Sequence, residues 1–133
     1  MREIACIGPM ADVQKHLLTF KERIGGFLND LGLPFELKAA SDPFFQPMDA
    51  KAKMQLLFPT KEEFVYGGSL AFGSLNFHRN FFGERCRIAA PDGKAAYTGC
   101  VAFGLERWLQ ALLGRFKGPA AVLRALSAGS AIA

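Results

Sequence analysis

An α+β domain built on a mostly antiparallel sheet with flanking helices is the fold class this sequence predicts. Three observations carry it. Apolar residues recur at helical spacing near the N-terminus, at Val13, Leu17, Phe20, Ile24, Phe27, Leu28 and Leu31. Short extended segments punctuated by Gly and Pro fill the middle, and helical patterns close the chain. By length, residues 1–133 form one domain.

Taken in order, residues 3–7 predict a short strand ended by Gly8-Pro9. The apolar repeat predicts a helix over residues 11–31, stopped by Gly32 and Pro34. Residues 35–40 read as a strand, and Ser41-Asp42-Pro43 opens a loop. Residues 53–58 alternate loosely until Pro59 halts them. The extended region 64–77 carries Gly67, Gly68 and Gly73, the mark of strands that bulge or approach a ligand closely. Residues 85–89 and 96–103, joined through Pro91-Asp92-Gly93, read as a hairpin. A helix over 105–116 follows, and Pro119 starts another.

The composition is globular: 50% hydrophobic and 21% charged, which argues against disorder. The net charge of +4 is spread without a block of like charge, so it points to a solvated, mildly basic surface rather than to nucleic acid. The 13 Phe are a heavy load for this length and imply that some rings meet a partner surface. Cys6, Cys86 and Cys100 are widely spaced, as expected in a reducing compartment without a disulfide framework. With no signal-peptide pattern and no apolar run long enough for a bilayer, a cytoplasmic protein without membrane association is expected.

Four places carry candidate chemistry. On a strand, Glu3, Ala5 and Ile7 share one face and Arg2, Ile4 and Cys6 the other. A carboxylate at such a place is either a solvated strand end or a group pointing into a site. Alternation puts Ser74, Asn76 and His78 on one face, three polar groups among aromatics. Cys100 in an apolar strand is either a small buried hydrophobe or a ligand. Arg107 falls in the first turn of a helix after Gly104, where backbone N–H groups also favour an anion; the plain alternative is a surface pair with Glu106 or Glu84. The phosphate-loop, dinucleotide and zinc-protease signatures GxxxxGK[ST], GxGxxG and HExxH are all missing.

Several runs together resemble the amino acid:[carrier protein] ligases, class II aminoacyl-tRNA synthetase-like proteins related to an atypical seryl-tRNA synthetase. They are Arg2-Glu3-Ile4-Ala5-Cys6-Ile7-Gly8, Ala40-Ser41-Asp42-Pro43-Phe44-Phe45, Ser74-Leu75-Asn76-Phe77-His78 with Phe82-Gly83, and Thr98-Gly99-Cys100-Val101-Ala102-Phe103-Gly104 with Glu106-Arg107. The resemblance implies a class II synthetase-like core in which Glu3 and Cys100 ligate zinc, Ser74, Asn76 and His78 line the amino-acid and adenylate pocket, and Arg107 holds the terminal phosphate of ATP. It implies ATP, Mg and Zn as cofactors, a small amino acid and a carrier protein as partners, no tRNA, and a homodimer.

Because the resemblance begins inside the second family signature, the chain is expected to be the C-terminal part of a catalytic domain. Its zinc site is then incomplete, since the family's other cysteine lies upstream. Gln55 stands where the relatives usually carry Glu, which removes a carboxylate suited to magnesium. The reaction implied is formation of an aminoacyl-adenylate and transfer to a phosphopantetheine thiol. A non-catalytic remnant or interaction module of the same fold is the alternative, and a seryl-tRNA synthetase fragment a third.

Overall fold

In the computed structural model, which describes residues 1–40 and 60–129, the apolar repeat near the N-terminus forms helix α1 (Met10–Leu31). Pro9 precedes it in extended conformation and accepts from the Asp12 and Val13 N–H groups. Gly32, at φ 69°, ends it in the left-handed region, and Leu33 N–H donates to Leu28 O. The other elements are β1 (Arg2–Gly8), β2 (Glu36–Ala39), β3 (Lys61–Tyr66), β4 (Leu70–Arg79), α2 (Phe81–Cys86), β5 (Tyr97–Phe103), α3 (Leu105–Phe116) and α4 (Pro119–Gly129). The runs at 42–45 and 53–58, with Gln55, lie outside the described residues.

The strands form one sheet in the order β1-β5-β4-β3-β2, and each neighbouring pair is antiparallel. This is the α+β antiparallel architecture the sequence predicts. Directly opposed residues share a face, so the register assigns both sides of the sheet. On one side Phe64, Leu75 and Val101 join Ile24, Leu28 and Leu31 of α1, Ala111 and Leu112 of α3 and Val122 of α4 in the core. Phe64, Phe72, Leu28, Leu33, Val13 and Val101 are its largest fully buried side chains, each contributing roughly 1.5–3 kcal/mol relative to exposure. Helix α1 crosses β5 at Gly99, where a Cβ would stand 2.9 Å from Val13 Cγ1 and 3.1 Å from Leu17 Cδ1. The other side of the sheet carries Glu3, Ser74, Asn76, Thr98 and Cys100 together with Ala5, Ile7 and Ala102.

The glycine-rich stretch is a hairpin of β3 and β4 turning through Gly67 and Gly68, both at positive φ, with a bulge at Phe64/Val65. The predicted hairpin over 85–103 needs correction. Its second strand is β5, but its first is replaced by the short helix α2 and a single bridge between Ala89 and Ala95. The reason is Gly83. It lies flush on the Ala96 backbone, where any Cβ would overlap the Ala96 carbonyl oxygen, and this contact holds a turn of helix where a strand was expected. Among the described residues, no helix is long and apolar enough to cross a membrane.

Candidate functional site

Register brings the candidate polar residues together on the face turned away from the core. Asn76 of β4 lies opposite Cys100 of β5, and Ser74 opposite Ala102. Asn76 Nδ2 donates to Ser74 Oγ at 3.1 Å and to Cys100 Sγ at 3.4 Å. A register shift between Phe77 and Arg79 then places His78 over β5. Its Nδ1 is 3.2 Å from Thr98 Oγ1, and its Nε2 is 3.9 Å from Cys100 Sγ. Ser74, Asn76, Cys100, His78 and Thr98 thus make one connected polar row. Asn76, Thr98 and Cys100 are all buried, at 9%, 6% and 7% exposure. Burial holds these groups in fixed orientations, as recognition of a small polar ligand requires.

β1 adds Glu3 to the same face. Glu3 lies opposite Ala102 and Ala5 opposite Cys100, so Glu3 and Cys100 are diagonal neighbours. Cys6 lies opposite Gly99, on the helix-covered face, and Cys86 is exposed at the end of α2. Neither joins Glu3 and Cys100. Among the described residues, no three His, Cys, Asp or Glu side chains are grouped to hold a metal ion. Structural and catalytic zinc sites use at least three protein ligands, so the residues described do not fit zinc, and no chemistry is routed through it.

Arg107 stands at the rim of this face. Gly104 leaves β5 with its N–H bonded to Phe72 O and accepts from Trp108 N–H, so α3 starts beside β4. From the first turn, Arg107 Nη1 donates to Ala71 O at 3.0 Å; its partner is a main-chain carbonyl, and neither Glu106 nor Glu84 pairs with it. Lys61, Glu63, Ser74, Ala102, Glu106 and Arg107 line one cleft of about 410 Å³. Lys61 Nζ pairs with Glu63 Oε1 at 3.1 Å, so of the two cations only Arg107 lacks a carboxylate partner among the described residues. The cleft thus offers an anion one guanidinium, and a counter-cation the carboxylates of Glu63 and Glu106.

The sequence reading missed Thr98 and Lys61. Alternation from Cys100 back to Thr98 was available as a signal. Lys61 enters the face because it lies opposite Asn76, which only the strand register reveals.

The fold is that of a class II aminoacyl-tRNA synthetase catalytic core. A seryl-tRNA synthetase from M. kandleri, solved in complex with A. aeolicus tRNASec, superimposes with a TM-score of 0.72 at 19% identity, over 93% of this chain and 27% of that one. No protein-family model matches the chain.

In sequence, the chain is similar to two proteins of Bradyrhizobium diazoefficiens. Amino acid--[acyl-carrier-protein] ligase 1 is 36% identical over 116 residues, 80% of this chain and 35% of the relative. Amino acid--[acyl-carrier-protein] ligase 2 is 36% identical over 120 residues, again 80% of this chain and 34% of the relative. The chain is thus similar in sequence to these amino acid:[carrier protein] ligases and spans about a third of their length.

Proposed function

We propose that residues 1–133 are a C-terminal part of a catalytic domain that activates a small amino acid with ATP and passes it to the phosphopantetheine thiol of a carrier protein. One observation carries this reading: the connected polar row and the cleft lined by Arg107 meet on one face of the sheet, in a chain 36% identical to two such ligases over 80% of its length. Asn76 and Ser74 orient the amino acid, His78 supports the pocket, and Arg107 takes the terminal phosphate of ATP. Magnesium would neutralise the triphosphate from the side of Glu63 and Glu106.

In the first step the amino-acid carboxylate attacks the α-phosphorus and pyrophosphate leaves. In the second the thiol attacks the activated carbonyl and AMP leaves. Positioning and charge neutralisation do the work, so each preorganised donor matters.

Amino-acid-dependent ATP–pyrophosphate exchange tests this, with glycine, alanine and serine as candidates. Arg107→Ala is expected to lower exchange by about 100- to 1,000-fold, the effect of removing one preorganised donor. A second reading, a non-catalytic interaction module of the same fold, is favoured by β1, an exposed edge strand bearing Ile4 and Ile7. It predicts association of the chain without ATP chemistry.

A further inference from the structure

Beside the polar row, α2 and its flanks present a surface that the adenylation chemistry leaves unused. Gly83 fixes the helix against Ala96, so Phe81, Phe82 and Arg85 face outward. Phe81 and Phe82 are 39% and 42% exposed, and the Arg85 guanidinium sits 5.3 Å from the centre of the Phe81 ring. Arg79 precedes the helix and Arg87 follows it; both are exposed. None of these three arginines has a carboxylate partner among the described residues. The carboxylate of the helix itself, Glu84, is held by Asn80 at 2.6 Å. Arg79 and Arg87 also hold φ of 55° and 54°, a region where a non-glycine residue is uncommon and costs free energy. The patch abuts the site, since the Phe82 ring meets the His78 ring edge-on at 5.1 Å.

We infer that this patch is the docking surface for the carrier protein, engaged through an acidic face of that partner with Phe81 and Phe82 as apolar anchors. Charge complementarity selects the partner: three guanidiniums without a carboxylate partner among the described residues, set around exposed aromatics, suit carboxylates flanking apolar side chains. Proximity to His78 gives the docking a purpose, because a thiol carried on the partner would then enter beside the polar row. The inference rests on the reading of the chain as a carrier-protein ligase, but it concerns binding alone and is tested apart from adenylation.

The experiment measures binding of a phosphopantetheinylated acyl carrier protein of net negative charge to the full chain, by fluorescence anisotropy at low and high salt. Arg85→Glu and the double variant Arg79→Gly/Arg87→Gly are the probes. Glycine removes the charge and suits the left-handed backbone, so those sites keep their fold. Binding is expected to weaken by about tenfold or more in each, and Lys15→Glu, on the exposed side of α1, to leave it unchanged.

Equal binding by all variants, or no binding by a folded wild-type chain, overturns the inference. So does a single-stranded oligonucleotide that binds more tightly than the carrier protein with the same dependence on the arginines, since the patch would then serve nucleic acid. Pyrophosphate exchange needs no carrier protein, so failure here leaves the adenylation reading standing, and failure of exchange leaves this one.

Discussion

Asn76 is the hub of the polar row, because its one amide nitrogen donates to both Ser74 Oγ and Cys100 Sγ. Asn76→Ala is expected to raise the KM for the amino acid more than it lowers kcat, since it removes an orienting contact rather than a charge on the transition state. It also deletes a buried hydrogen-bonding group and should cost about 1–3 kcal/mol in denaturant unfolding. An unchanged KM would place the amino acid elsewhere. Much of this row was legible in the sequence, because Ser74, Asn76 and His78 alternate on a strand and Thr98 and Cys100 alternate on its neighbour. The closeness of His78 and Cys100 was not, since it depends on the register shift at Phe77/Arg79, which leaves no periodic signal.

Among the elements, α1 and α3 follow from apolar repeats at helical spacing bounded by glycine or proline, and β5 from its mostly apolar residues ahead of Gly104. Helix α2 does not. Its sequence, Phe81 to Cys86, is too short for a helical period and has a glycine inside, a residue that disfavours helix by about 1 kcal/mol. Packing overrides propensity here, through the flush contact of Gly83 with Ala96. Gly83→Ala should therefore destabilise the protein despite its better helix propensity, by about 1–3 kcal/mol, read as a melting temperature lower by roughly 4 °C or more. A stabilised Gly83→Ala variant would show that α2 does not sit against β5. Gly99→Ala should act in the same direction, because the added methyl group meets Val13 and Leu17 and pushes α1 off the sheet.

For the molecule as a whole, the sheet divides the labour. One side carries α1, α3 and α4 over a core, and the other carries the polar row with Glu3, Lys61 and Arg107 along its margins. The fold class was legible from composition and pattern alone, whereas the class II resemblance needed the motifs. With no three His, Cys, Asp or Glu side chains grouped to hold a metal among the described residues, adding zinc or a chelator is expected to leave the melting temperature unchanged. A rise of several degrees with zinc would show that a further donor completes the site.

The central claim is that this face assembles an adenylation site. Its most direct test is ATP–pyrophosphate exchange by the purified chain with glycine, alanine or serine. Exchange that depends on one of these amino acids and is lost in Arg107→Ala is the expected result. A folded chain that shows no exchange with any of them, or exchange indifferent to Arg107, would contradict the claim and leave an interaction module on the same sheet.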